Sequence, residues 1–386
     1  MIRITALALA AAMICSGCAE HGDQEAAPQQ LVSDEWLSRE VESVKPSAFA
    51  QSVFRLYRYA PDAEALVGMG SHEGRAALGF VDPSSELLGV RWTNLEFGGP
   101  YGIGPQWSPD GQHVVATCGT TRPEASIVVV SRDGQTVAQK SFPRMALSNA
   151  AWSAEGDRIA FLVGPWCWGP PDYREWARKQ RQHVSLVVWE WKTDETRTVV
   201  LAKRAEEFHR SVGWNHVTGV IATATGHAYT ETTIRLVDES TLGVVYEQVT
   251  SRDYGSPGLP PQWSPSGRYL LIEPAWAILL DMESEPLALR DVRVQDGILH
   301  SAVWAAKRDV LFGMSLTEAP TVGELIEFVK SAGFEAPDTR IQQVWAYDPD
   351  ERRGTRVEDW RSVIDSSEVK PREIRPYWEA MESWAR

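Results

Sequence analysis

An aromatic residue, a short polar turn and a run of apolar residues recur along the chain in that order. Trp107-Ser108-Pro109-Asp110-Gly111 precedes Val114-Val115-Ala116, and Trp263-Ser264-Pro265-Ser266-Gly267 precedes Tyr269-Leu270-Leu271-Ile272. Looser copies begin at Tyr59, Trp152, Trp214 and Trp304, before Ala65-Leu66-Val67, Ile159-Ala160-Phe161-Leu162, Val220-Ile221-Ala222 and Val310-Leu311-Phe312. A second phrase, an apolar run closing on an acidic residue or a polar turn, lies inside each interval. Its copies are Ala77–Asp82, Ile127–Gly134, Leu186–Glu190, Ile234–Asp238, Ile278–Asp281 and Val344–Asp348. The runs are rich in β-branched residues and bounded by Pro, Gly and Asp, so they read as strands rather than helices.

The aromatics are spaced 48, 45, 62, 49 and 41 residues apart. Roughly 40 to 50 residues is the length of one four-stranded propeller blade, a unit that cannot bury its apolar faces alone. Six copies of each phrase, strictly alternating, predict an all-β fold: a six-bladed β-propeller of four-stranded antiparallel blades over 49–358. Pro-Asp-Gly and Pro-Ser-Gly preset a negative φ and then supply the glycine that a tight hairpin needs. A large aromatic before the turn can wedge between neighbouring twisted sheets, stabilising by about 2–3 kcal/mol through area burial. These six rings are therefore read as packing, not as a binding site.

The Trp-Ser-Pro-Asp-Gly phrase followed by a strand resembles the repeat of TolB-type propellers, also found in the propellers of prolyl-oligopeptidase-like enzymes. The resemblance covers about 50–358, and it implies a propeller without implying an activity. TolB-type proteins carry a mixed domain before the propeller, whereas a short segment precedes Tyr59 here. The peptidases require a large α/β-hydrolase domain, whereas 28 residues follow Glu358. Neither the Tol–Pal role nor peptidase activity is carried over.

Residues 1–17 read as a signal peptide, with Arg3 followed by an apolar stretch from Ile4 to Ile14. The stretch is too short for a bilayer-spanning helix. It ends in Cys15-Ser16-Gly17-Cys18, which resembles a bacterial lipoprotein box with Cys18 as the lipidated residue and Cys15 where leucine is usual. Several acyl chains on Cys18 would anchor the protein stably. Ala19 follows where an inner-membrane retention signal would place Asp, so the expected address is the outer membrane, facing the periplasm. Residues 18–32 read as a flexible tether, and 33–48 as a short helical lead-in capped by Ser33. Residues 359–386 read as a helical tail, with Tyr377, Met381 and Trp384 on one face. In the body, Cys118 and Cys167 fall in neighbouring blades; an oxidising compartment permits a disulfide, and two buried thiols are the alternative.

The formal charge of −14 and the absence of a basic run argue against nucleic acid and against adhesion to anionic lipid through the protein surface. Membrane attachment is expected through the lipid anchor only. Departures from the minimal blade are where a propeller's function sits. The third blade carries an insertion from Gly164 that includes Trp166, Trp168, Tyr173 and Trp176, a candidate aromatic binding surface. The sixth carries another from Ser315 to Arg340, with Leu325, Ile326 and Val329 at helical spacing. Eight histidines are scattered from His21 to His300 without a zinc-site spacing. The chain has no nucleophile elbow and no phosphate loop. Ser71-His72-Glu73 and Gly226-His227 fall just after strand phrases, where loops project. No catalytic residue, metal or cofactor is assigned. The expectation is a binding or scaffold protein for an unidentified envelope protein or ligand. The alternative is a periplasmic propeller enzyme, a lyase or hydrolase of a sugar or lactone, with its site in the central channel.

Overall fold

Each pair of phrases folds into one sheet. In a computed structural model the described residues are 54–61, 64–73, 75–82, 89–97, 104–118, 124–143, 145–164, 183–202, 207–227, 231–250, 259–273, 277–295, 297–305, 308–316 and 343–357. The lead-in, tether, signal peptide, tail, both long insertions, Cys18 and Cys167 lie outside them.

The described strands form six antiparallel sheets in chain order. The first holds β1 (Phe54–Tyr59), β2 (Leu66–His72), β3 (Arg75–Val81) and β4 (Arg91–Phe97). The second holds β5 (Gln106–Trp107), β6 (His113–Cys118), β7 (Glu124–Ser131) and β8 (Thr136–Pro143). The third holds β9 (Ala146–Trp152), β10 (Arg158–Gly164), β11 (Val184–Glu190) and β12 (Glu195–Ala202). The fourth holds β13 (Glu207–Trp214), β14 (Val220–His227), β15 (Glu231–Asp238) and β16 (Val244–Thr250). The fifth holds β17 (Leu259–Trp263), β18 (Tyr269–Glu273), β19 (Ile278–Asp281) and β20 (Leu289–Asp291). The sixth holds β21 (Arg293–Val294), β22 (Gly297–Trp304), β23 (Leu311–Leu316), β24 (Gln343–Asp348) and β25 (Arg353–Val357). Its fifth strand departs from the expected four. The link from β20 is so short that it doubles back on β22, pairing Val294 with Gly297.

In every sheet the aromatic ends the strand that precedes the apolar run, and the apolar run is the next strand. The first strands of consecutive sheets lie against one another, while outer strands such as β8 and β12 are largely exposed. This radial gradient, buried at the hub and wet at the rim, is that of an all-β propeller.

The turns are copies of one device. Ala60, Ser108, Ser153, Asn215, Ser264 and Ala305 each donate their N–H to the carbonyl five residues on, at 2.8–2.9 Å. Where the residue is serine, its Oγ also accepts the returning strand's N–H, from His113, Arg158 and Tyr269. Gly111, Gly156, Gly219 and Gly267 supply φ values of 67° to 77°, a region that other residues enter at a cost.

Five apolar clusters fill the five successive junctions, and each contains the tryptophan of the later sheet: Trp107, Trp152, Trp214, Trp263 and Trp304. Three of the indoles also reach back by a hydrogen bond. Trp152, Trp263 and Trp304 donate Nε1–H to the carbonyls of Gln106, Gly213 and Gln262, at 3.0, 3.3 and 3.0 Å. Each acceptor immediately precedes the previous sheet's tryptophan. The side chain of Tyr59, the sixth aromatic, lies outside the described set.

Most first strands are bulged, as are several fourth strands. Pairing slips at Arg55 in β1, Ser148-Asn149 in β9, Arg210 in β13, Pro260-Pro261 in β17 and Ser301-Ala302 in β22. A bulge bends its strand, and it leaves backbone groups for side chains to satisfy. Ser148 Oγ accepts from Leu162 N–H at 2.8 Å. Buried Asn149 donates to Val212 O at 2.8 Å and accepts from Val212 N–H at 2.9 Å, bridging β9 to β13. β13 then meets β17 so closely that a Cβ on Gly213 would sit 2.1 Å from Pro261 O.

Trp152→Ala is expected to lower the unfolding free energy by about 3–5 kcal/mol in denaturant titration, through the cavity it leaves. Gly213→Ala is expected to cost about 1–3 kcal/mol by forcing β13 and β17 apart. A third expectation concerns pH. Hydrogen bonds from Ser240 and from the Thr241 N–H and hydroxyl hold half-exposed Asp238 at about 2, below its ordinary 3.8. The stabilisation it provides is therefore present above about pH 4 and is lost as pH falls through 2. Asp238→Asn should flatten that part of the acid-unfolding profile.

Candidate functional site

The six turns lie along one face. Arg132 pairs with Glu64 across the first junction at 3.5 Å, and His216 Nε2 meets Trp152 O across the third at 2.9 Å. Asn215 donates to Gly267 O across the fourth at 2.8 Å, and Ser266 N–H to Asp309 across the fifth at 3.1 Å. The third junction adds an ion pair, Arg158 Nη1 to Glu239 Oε1 at 2.5 Å, and Glu239 also accepts the Trp214 indole N–H at 2.7 Å. This rim is committed to holding the sheets together. A polar depression of about 330 Å³ on the same side of the sixth sheet is lined by Arg308, Val310, Ala346, Asp348 and Arg353.

The opposite face is where second strands end and third strands begin, and the strands that flank both long insertions have those ends there. One joins β10 to β11 and the other joins β23 to β24. The 62-residue interval is thus accounted for by a single connection. Trp166, Trp168, Tyr173 and Trp176 belong to it and lie outside the described residues.

Three described features mark this face. His72 and Trp92 stack with ring centroids 5.1 Å apart, next to Glu73 in a left-handed conformation. His72 and His227 are the last residues of β2 and β14, inside strands rather than in the loops expected from sequence. Cys118 ends β6 as a buried free thiol, and burial pushes its pKa up to about 12. Its proposed partner Cys167 lies outside the described residues.

The third feature is polar and buried. On the side of the fourth sheet that packs against the third, the rim half is apolar: Val212, Trp214, Ile221 and Val237. Two residues further along the same rows stand Thr223, Thr225, Thr233 and Arg235, all buried. Arg235 Nη1 donates to Thr225 Oγ1 at 2.7 Å, and its Nε to Glu247 Oε2 at 2.6 Å. A buried guanidinium is tolerated only when such partners meet it. No linear motif signals this layer, because its members come from three strands. Among residues with described side chains, no three metal-ligating groups converge.

No protein-family model matches the chain, and no curated protein matches it in sequence. Solved structures do resemble it. Dipeptidyl peptidase 4 of Porphyromonas gingivalis is 15% identical with a TM-score of 0.48, over 78% of this chain and 46% of that one. Oligogalacturonate lyase of Vibrio parahaemolyticus is 10% identical with a TM-score of 0.46, over 79% and 77%. TolB of Acinetobacter baumannii is 16% identical with a TM-score of 0.39, over 61% and 55%. The chain thus spans less than half the length of the first of these. The sheets and junctions of the chain itself define it as an all-β propeller with a TolB-like repeat, and the activities of those neighbours stay with them.

A protonated, buried thiol reacts slowly. Cys118 is expected to resist a water-soluble maleimide in the native protein and to label fully in denaturant without reductant, read by mass spectrometry. A label that requires reductant would instead reveal a disulfide.

Proposed function

We propose that the protein is a lipid-anchored, periplasm-facing propeller that holds an envelope protein or ligand on the face opposite its turn rim and does not turn it over. The observation that carries this reading is topological. The strands flanking the two connections that depart most from the minimal blade end on one face, and the sequence of one connection contains Trp166, Trp168, Tyr173 and Trp176. Large rigid rings supply contact area at low entropic cost, which suits a docking surface. The rim face is consumed by cross-sheet contacts, so evolution has freedom to vary mainly the other. Anchoring follows from Cys18 in Cys15-Ser16-Gly17-Cys18, and Ala19 after it favours the outer membrane.

The test is cross-linking in intact envelopes followed by identification of the captured component. Trp166→Ala with Trp168→Ala should abolish capture while leaving thermal unfolding unchanged, and Cys18→Ser should move the protein from the membrane to the soluble fraction. Turnover of a sugar or lactone by the purified protein, with capture unaffected by the double substitution, would overturn the reading in favour of the enzyme alternative.

A further inference from the structure

We propose that the rim depression of the sixth sheet binds a small zwitterion of the amino acid class, its carboxylate held by Arg353 and Arg308 and its ammonium by Glu351. The site is independent of the partner-binding reading above, which concerns the opposite face. Strand alternation builds it. Leu311, Trp345 and Tyr347 pack toward the fifth sheet. Side chains alternate along a strand, so Val310, Ala346 and Asp348 lie on the other side of the sixth sheet. Thr355 and Arg353 of β25 join them there, because they pair directly with Ala346 and Asp348. With Arg308 and Glu351 at the strand ends, these positions line the depression of about 330 Å³.

The charges of the lining are balanced but not joined. Arg308 and Arg353 oppose Asp348 and Glu351. Arg353 stands directly across from Asp348, yet neither it nor Glu351 has an ion-pair partner among the described residues. Asp348 is turned to the hairpin instead, its Oδ1 accepting the N–H groups of Asp350 and Glu351 at 2.9 and 3.1 Å. A cation and an anion therefore line one depression without meeting.

A purely anionic ligand would gain from the arginines and be repelled by the carboxylates, and a purely cationic one would meet the reverse. A ligand carrying both charges gains from both, since like and opposite charges act with similar strength at similar range. The Arg353 guanidinium presents its donors in the fork that matches a carboxylate. Thr355 adds a hydroxyl, and Val310 and Ala346 supply an apolar floor for a short aliphatic side chain. The volume lies at the low end of the roughly 300–1,000 Å³ range of small-molecule sites, which suits a ligand of amino acid size. Arg353, Glu351 and Thr355 are exposed, so the attractions are screened and the affinity expected is about millimolar.

The test titrates the purified protein by calorimetry with L-leucine, N-acetyl-L-leucine and L-leucinamide, at mildly acidic pH and low salt. The first probe carries both charges, the second only the carboxylate and the third only the ammonium. L-Leucine should bind saturably, and the other two should bind at least about 5-fold more weakly. Arg353→Gln should weaken L-leucine by a similar factor. Glu351→Gln should weaken L-leucine until it binds no better than N-acetyl-L-leucine, a change that general loosening of the fold would not produce. Arg356 pairs with Trp345 on the side toward the fifth sheet, so Arg356→Gln should bind as the wild type does. All three positions are exposed, and the variants should melt with the wild type. Absence of saturable L-leucine binding, equal wild-type affinity for N-acetyl-L-leucine, or undiminished binding in the Arg353 and Glu351 variants would overturn the proposal. Envelope capture on the opposite face does not enter these affinities, so the two readings fail separately.

Discussion

The whole molecule depends on filling the wedge between diverging sheets. Consecutive sheets meet along their first strands and splay apart outward, so a gap opens just where the chain turns from first to second strand. An indole fits that gap because it is large, flat and carries one N–H at its edge. Trp152, Trp263 and Trp304 use the body for packing and the edge to bind a carbonyl of the preceding first strand. One side chain thereby supplies both burial and a hydrogen bond to the backbone of the neighbouring sheet. The polar turn that follows is the necessary complement, since it reverses the chain without pushing the ring out of its slot.

The junction between the third and fourth sheets departs from this rule, and the departures cluster. Trp214 gives its N–H to Glu239 rather than to backbone, and Glu239 is in turn held by Arg158. Asn149 laces β9 to β13 as if it were one more strand residue. Further from the rim, the fourth sheet exchanges valine and isoleucine for threonine and arginine. Extra cross-sheet bonding at the rim offsets the apolar contact surrendered at the other end.

The two faces divide the labour. Rim turns are short, repeated and tied to one another, so their geometry is dictated by the need to keep six sheets in register. Connections on the other side differ widely in length. They range from the tight hairpin at Glu73 to the links between β10 and β11 and between β23 and β24. Connections can vary in such a fold without changing its core, which is why a shared repeat is a poor guide to a shared activity.

How much was legible without coordinates follows from the range of each interaction. The aromatic-turn-strand phrase is local, so the sequence alone determined the strands, their order, the six turns with their glycines and the packing role of the five described tryptophans. The long interval in the third repeat pointed to an insertion for the same reason. Short-range reading misplaced His72 and His227 in loops, because nothing within a few residues shows where a strand stops pairing. Only the tertiary structure decided that both insertions leave by one face and that β21 adds a fifth strand. It also decided that Cys118 is buried at the end of β6, and that buried Arg235 is met by Thr225 and Glu247. Those facts rest on strand pairing and on contacts between residues as distant along the chain as Asn149 and Val212, and such pairings leave no periodicity in the chain to be read.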